Sequence, residues 1–130
     1  MPLDIVATEG APKAIGPYSQ AVAVPAGRLV FCSGQIPIDP QTGQIVGGGD
    51  IRQEAHRVMK NLDAVLLAAG ASFAQVVKTT IYLTDLARKP ELDAVWKEWL
   101  APASLPARAT VGVADLGGGT LVEISLVAHT

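Results

Sequence analysis

The chain has 130 residues, with 12 acidic against 10 basic side chains for a formal net charge of −2, and 49% hydrophobic against 17% charged residues. That length suits one domain, residues 1–130, around one core, and the scattered Lys and Arg lack the basic patch on which general RNA or DNA affinity depends. A single cysteine excludes an intramolecular disulfide, while a mean hydropathy of +0.34 with so few charges predicts more apolar surface than one subunit hides, and hence an oligomer. No basic segment precedes an apolar run near residue 1 and no stretch approaches a membrane span, so the expectation is a cytoplasmic protein without a membrane segment.

Met1 to Ala14 reads as an arm or short edge strand carrying Pro2 and Pro12. Ile15-Gly16-Pro17-Tyr18-Ser19-Gln20 is a glycine–proline turn that presents the Tyr18 hydroxyl, either to a site or as the polar cap of a core. Gln20–Val24 and Arg28–Ser33 predict two strands paired as a hairpin through Pro25-Ala26-Gly27, with Cys32 a buried, inert thiol. Ser33-Gly34-Gln35-Ile36-Pro37 then leads into a loop ending in Gly47-Gly48-Gly49. That run lacks the lysine of a P-loop and the spacing of a dinucleotide fingerprint, so it reads as a connector.

Asp50 predicts a helix N-cap with Gln53 as its capping-box partner, and Gly70 predicts the stop. Between them Ile51, Ala55, Val58, Met59, Leu62, Val65, Leu66 and Ala69 fall on one face, opposite Arg52, His56, Lys60 and Asp63. Val76–Leu83 predicts a strand with Val77, Thr79, Ile81 and Leu83 on one face and Val76, Lys78, Thr80 and Tyr82 on the other. Pro90 suits the first turn of a second helix whose Leu92, Val95, Trp96, Trp99 and Leu100 form an apolar stripe ending before Pro102. Asp93 has no partner visible in the sequence. In the last strand Val122, Ile124, Leu126 and Ala128 should meet the helices, leaving Leu121, Glu123, Ser125 and Val127 on the far face.

The candidate chemistry lies near the end of the chain. If the strand after Pro106-Ala107-Arg108 pairs with the last strand as a hairpin across Gly117-Gly118-Gly119, Arg108 and Glu123 come to one end of one sheet face. A guanidinium grips a carboxylate with two parallel hydrogen bonds and a glutamate can hold or deprotonate a water, the minimum for adding water to a small anion. A plain Arg–Glu ion pair would satisfy the same spacing. His56 and His129 lie far apart without a carboxylate or cysteine at ligand spacing, and no cofactor motif is present, so neither metal nor cofactor is expected. With two helices covering one side of the sheet, copies of the same sheet are the economical cover for the half-apolar other side.

Six segments, Ile15-Gly16-Pro17-Tyr18-Ser19-Gln20, Ser33-Gly34-Gln35-Ile36-Pro37, Asn61-Leu62 with Ala69-Gly70, Val76-Val77-Lys78-Thr79-Thr80, Pro106-Ala107-Arg108 and Val122-Glu123-Ile124, resemble the RidA (YjgF, L-PSP) family in order and spacing. The resemblance runs nearly end to end. It implies an α+β, chorismate-mutase-like fold with two helices on one face of a mixed six-stranded sheet, assembled as a homotrimer with a central barrel and three sites between subunits. It also implies hydrolytic deamination of reactive 2-imino or 2-enamino acids, such as 2-aminoacrylate and 2-iminobutyrate, to 2-oxo acids and ammonia. In the arginine-containing branch, the position of Arg108 holds the substrate carboxylate; Glu123 matches the glutamate near the attacking water, and Tyr18 and Ser33 match residues lining the pocket. Two departures stand out: Thr110 replaces a cysteine found in several members, and Asp93 replaces a frequent asparagine. The alternatives are an L-PSP-type endoribonuclease or translation inhibitor, a non-catalytic trimer binding small carboxylates, and an enzyme tuned to a larger enamine.

Overall fold

The computed structural model describes residues 3–25 and 27–130. The first helix, α1 (Ile51–Ala68), starts where Asp50 accepts hydrogen bonds from the backbone N–H groups of Arg52 and Gln53, two donors that a helix start leaves without intrahelical partners. The predicted capping box is only half formed. The Asp50 N–H is already donated to the Gly47 carbonyl, so the Gln53 amide turns and donates to the second Asp50 carboxylate oxygen at 3.3 Å. At the other end Gly70 adopts φ +78°, which lets its N–H reach the Leu67 carbonyl and the Ala71 N–H reach Leu66. This is the six-to-one, five-to-two closure for which an achiral residue is suited.

Four strands form the main sheet in the order β3-β6-β4-β5: β3 (Leu29–Gln35), β6 (Val122–His129), β4 (Val76–Leu83) and β5 (Ala107–Gly112). The β3–β6 and β6–β4 pairs are antiparallel and β4–β5 is parallel. Two further strands, β1 (Asp4–Val6) and β2 (Ala21–Ala23), make a separate antiparallel ribbon. The expected α+β arrangement of two helices on a mixed sheet is therefore present, its six strands divided four and two. Helix α2 (Lys89–Leu100), with proline in its first turn, is the crossover that a parallel pair requires. Among the described residues no helix is long and apolar enough to cross a membrane.

Both predicted hairpins are replaced by longer-range pairings. The strand before Pro25 pairs with the N-terminal arm, and β3 pairs with β6, where Val30 faces Ala128 and Cys32 faces Leu126 on the core side. Of the residues on which those readings fell, Met1, Pro2 and Ala26 lie outside the described set. The chain leaving β5 passes over the end of β4 instead of turning back beside β5. Val113 donates to the Leu83 carbonyl and Thr84 to that of Leu121, and β6 then enters on the far side of β4.

The core joins both helices to one sheet face. Ile51, Ala55, Val58, Met59, Leu62 and Leu66 of α1 meet Leu92, Val95, Trp96 and Leu100 of α2 over Ile81, Leu83, Val122, Ile124, Leu126 and Ala128. Val76, predicted for the opposite face, is also fully buried. Val77 is an extra residue between the pairs Val76–Ala128 and Lys78–Val127, and such a bulge resets the alternation. Glu54 is buried within the apolar stripe of α1, where its carboxylate accepts from the Leu121 N–H at 2.8 Å.

Candidate functional site

Parallel pairing places Arg108 opposite Thr79, a buried residue on the helix side of the sheet. Its guanidinium lies 5.9 Å from the centroid of the Trp96 ring and donates from Nη1 to Asp93 Oδ1 at 2.8 Å. The Arg108 side chain is 1% exposed. The other Asp93 oxygen accepts from Lys89 Nζ, also at 2.8 Å, because residues four apart on a helix face one another. One carboxylate thus holds two cations. Of the five guanidinium donors, the one to Asp93 is the side-chain bond made among the described residues.

A cleft of about 250 Å³ opens beside this group, lined by Ile15, Tyr18, Lys89, Arg108 and Thr110. The Thr110 hydroxyl is buried and has no hydrogen-bond partner among the described residues. The Tyr18 turn is fastened to the same corner: Trp96 Nε1 donates to the Pro17 carbonyl at 3.3 Å, and Ser19 bonds Leu105 through its hydroxyl and Pro106 through its backbone N–H. Tyr18 itself is half-buried, its hydroxyl accepting from the Ile15 N–H at 3.3 Å. The cleft is therefore a small receptor whose fixed donors suit a carboxylate.

Glu123 lies elsewhere. It pairs with Tyr82 on the far face of the sheet, opposite in sense to Arg108, so the expectation that the two share one face within a chain is overturned. The cause is the topology: β5 runs parallel beside β4 and is not the hairpin partner of β6. Glu123 instead leans over β3, where Ser33 and Gly34 together oppose Ser125 between the pairs Cys32–Leu126 and Gln35–Ile124. A Cβ built on Gly34 would sit 2.8 Å from Glu123 Cδ, so the bare backbone there is what gives the carboxylate room. The site residues thus fall into two groups, Tyr18 with Arg108 and Ser33 with Glu123, on opposite faces of the sheet.

Lys89 was missed by sequence reasoning, and Asp93 was noted only as a departure from a frequent asparagine, without a partner. Their own i,i+4 spacing was readable, but the link to Arg108 spans 15 residues and two elements. His56 is exposed as predicted, though it accepts a hydrogen bond from Trp99 Nε1 at 3.0 Å. His129 is buried, with Nε2 unpaired among the described residues. No group of three or more His, Cys, Asp or Glu side chains able to hold a metal ion occurs among the described residues. Burial pushes the Cys32 thiol above its ordinary pKa.

Comparison with known proteins extends these observations. Residues 8–130 match the model of the family described as Endoribonuclease L-PSP. A Myxococcus xanthus relative, Protein DfrA, is 51% identical over 93% of this chain and 91% of its own length. A Mus musculus relative named 2-iminobutanoate/2-iminopropanoate deaminase is 45% identical over 95% of this chain and 89% of its own. Among solved structures, that of E. coli TdcF with bound serine superposes with a TM-score of 0.75 at 38% identity, covering 98% of both chains.

Proposed function

The chain belongs to the endoribonuclease L-PSP family, and on that premise we propose that it hydrolyses 2-imino acids and their 2-enamino tautomers to 2-oxo acids and ammonia. The observation that carries this reading is the buried guanidinium of Arg108 beside the unpaired Thr110 hydroxyl in a cleft of about 250 Å³. That space lies just below the range of about 300–1,000 Å³ usual for small-molecule pockets, in keeping with a ligand of few heavy atoms. The name of the mouse relative supplies the reaction class, and the serine-bound relative supplies a precedent for a small amino acid as ligand.

In this reading the working unit is a homotrimer, with Arg108 and Tyr18 of one subunit facing Ser33 and Glu123 of the partner subunit. The separation of the two groups onto opposite faces of one chain supports it, since one copy alone cannot bring them together. Arg108 holds the substrate carboxylate in a bidentate grip and the Thr110 hydroxyl adds a third contact, which fixes the imine carbon toward a water. Glu123 of the partner subunit holds that water and takes its proton as oxygen bonds to carbon and the C=N π pair moves to nitrogen. The proton is then returned to nitrogen, the C–N bond breaks, ammonia departs, and the remaining O–H proton is lost as the carbonyl forms. The advantage comes from positioning and from setting a carboxylate against the protonated imine in a partly dry cleft.

The test is to generate 2-aminoacrylate in place with a serine dehydratase and to trap the remaining imine with semicarbazide. Wild type should reduce trapping, and Arg108→Ala should match the enzyme-free control. Trapping unchanged by wild type would remove this substrate from the reading.

A further inference from the structure

We infer that Lys89 makes the Arg108 cleft selective for a 2-imino acid bearing a second carboxylate on a short side chain, a 2-imino dicarboxylate. The inference rests on the deaminase reading for its chemistry and on the Lys89–Asp93–Arg108 arrangement for its selectivity. Asp93 binds Arg108 through one oxygen and Lys89 through the other, each at 2.8 Å. The two cations are therefore fixed relative to each other before any ligand arrives, and the flexible lysine has already lost much of its rotamer freedom.

The Arg108 side chain is 1% exposed, whereas that of Lys89 is 35% exposed and forms a more open part of the wall of the same cleft. An ammonium carries three donors, of which Asp93 takes one among the described residues. A methyl or ethyl side chain placed against the remaining donors would strip their water and return nothing. A carboxylate would replace that water with charge-assisted hydrogen bonds. Asp93 opposes a second anion, but it is not among the residues that line the cleft, whereas Lys89 is. Coulomb energy falls with distance, so the contact with Lys89 outweighs the repulsion from the more distant Asp93 charge. The unpaired Thr110 hydroxyl, buried beside Arg108, serves the first carboxylate and leaves Lys89 for the second.

The experiment compares 2-iminosuccinate with 2-iminopropionate, made in place by amino-acid oxidases from aspartate and alanine, in the semicarbazide assay. Wild type should show kcat/KM about tenfold higher for the dicarboxylate, as a charged hydrogen bond implies. Lys89→Met should lower the ratio of the two values by about the same factor, and Lys89→Arg, which keeps the charge, should preserve it. A wild-type preference for 2-iminopropionate, or a ratio unmoved by Lys89→Met, would overturn the inference. If neither imine is turned over, the deaminase reading fails by itself, and calorimetry with oxaloacetate and pyruvate still decides the selectivity. Tighter binding of oxaloacetate, lost in Lys89→Met, sustains it; equal affinities overturn it.

Discussion

Replacing Gly34 with alanine separates the site from the fold. Gly34 sits in the β3 bulge outside the left-handed region, so alanine can adopt its backbone. Its new methyl carbon, however, would lie 2.8 Å from Glu123 Cδ and 3.1 Å from Cγ, against ordinary contacts of about 3.5–4.0 Å. The carboxylate must swing away by roughly 1 Å, a misplacement that costs an active group on the order of 100-fold. Stability should hardly change. Alanine restricts the unfolded chain by about 0.4–1 kcal/mol, and an off-rotamer Glu123 costs about 0.5–1.5 kcal/mol. With an unfolding entropy of roughly 2.1 cal/mol/K per residue, the melting temperature should move by no more than about 4 °C. The assay is semicarbazide trapping on Gly34→Ala beside a thermal melt. An activity within about threefold of wild type at unchanged stability would refute the placement of Glu123 in the chemistry, and a fall in melting temperature beyond about 8 °C would show that the methyl group disturbs the sheet itself.

Two other perturbations probe the frame. Glu54→Ala removes a buried carboxylate and leaves the Leu121 N–H without its acceptor, a loss of about 3 kcal/mol or a drop of about 11 °C in melting temperature. Glu54→Gln keeps an acceptor and should lose less than about 1 kcal/mol, so equal losses in the two variants would contradict the hydrogen-bond account. For Cys32, burial raises the folded-state pKa above the thiol's ordinary value of 9.0. The protonated thiol is therefore favoured in the folded state, and its contribution to stability is complete below pH 9.0 and lost as pH rises through the raised value. Native protein should resist thiol-specific reagents at pH 8 until denaturant is added; rapid labelling of native protein would show that the strand opens.

Local signals carried the elements further than they carried the pairings. Asp50 and Gly70 bracket α1 because caps act within a few residues, and Pro90 marks α2 for the same reason. Which strand lies beside which depends on where the chain goes after a turn. Pro25-Ala26-Gly27 and Gly117-Gly118-Gly119 announce turns without naming the partner strand, so both hairpin expectations failed. The extra residue Val77 resets the alternation of β4 and is silent in a pattern of consecutive apolar residues. Among the candidate residues, the side-chain chemistry of Arg108 could be read from the sequence. Its relation to Glu123 could not, because it depends on the β4 register: Arg108 pairs with Thr79 and Glu123 with Tyr82, an odd number of positions along one strand and so on opposite faces. Glu54 offered a signal that went unread, a lone charge inside an apolar stripe three residues after Ile51.

The two tryptophans of α2 sit in different surroundings. The Trp96 indole is fully buried, bonded to the Pro17 carbonyl and stacked near the Arg108 guanidinium. Trp99, one turn nearer the C-terminus of the helix, lies against Phe73 and donates to His56. The molecule consequently carries two optical gauges on one helix. The surroundings of the Trp96 indole are set by the buried Arg108 guanidinium, while those of Trp99 are set by Phe73 and the exposed His56 ring.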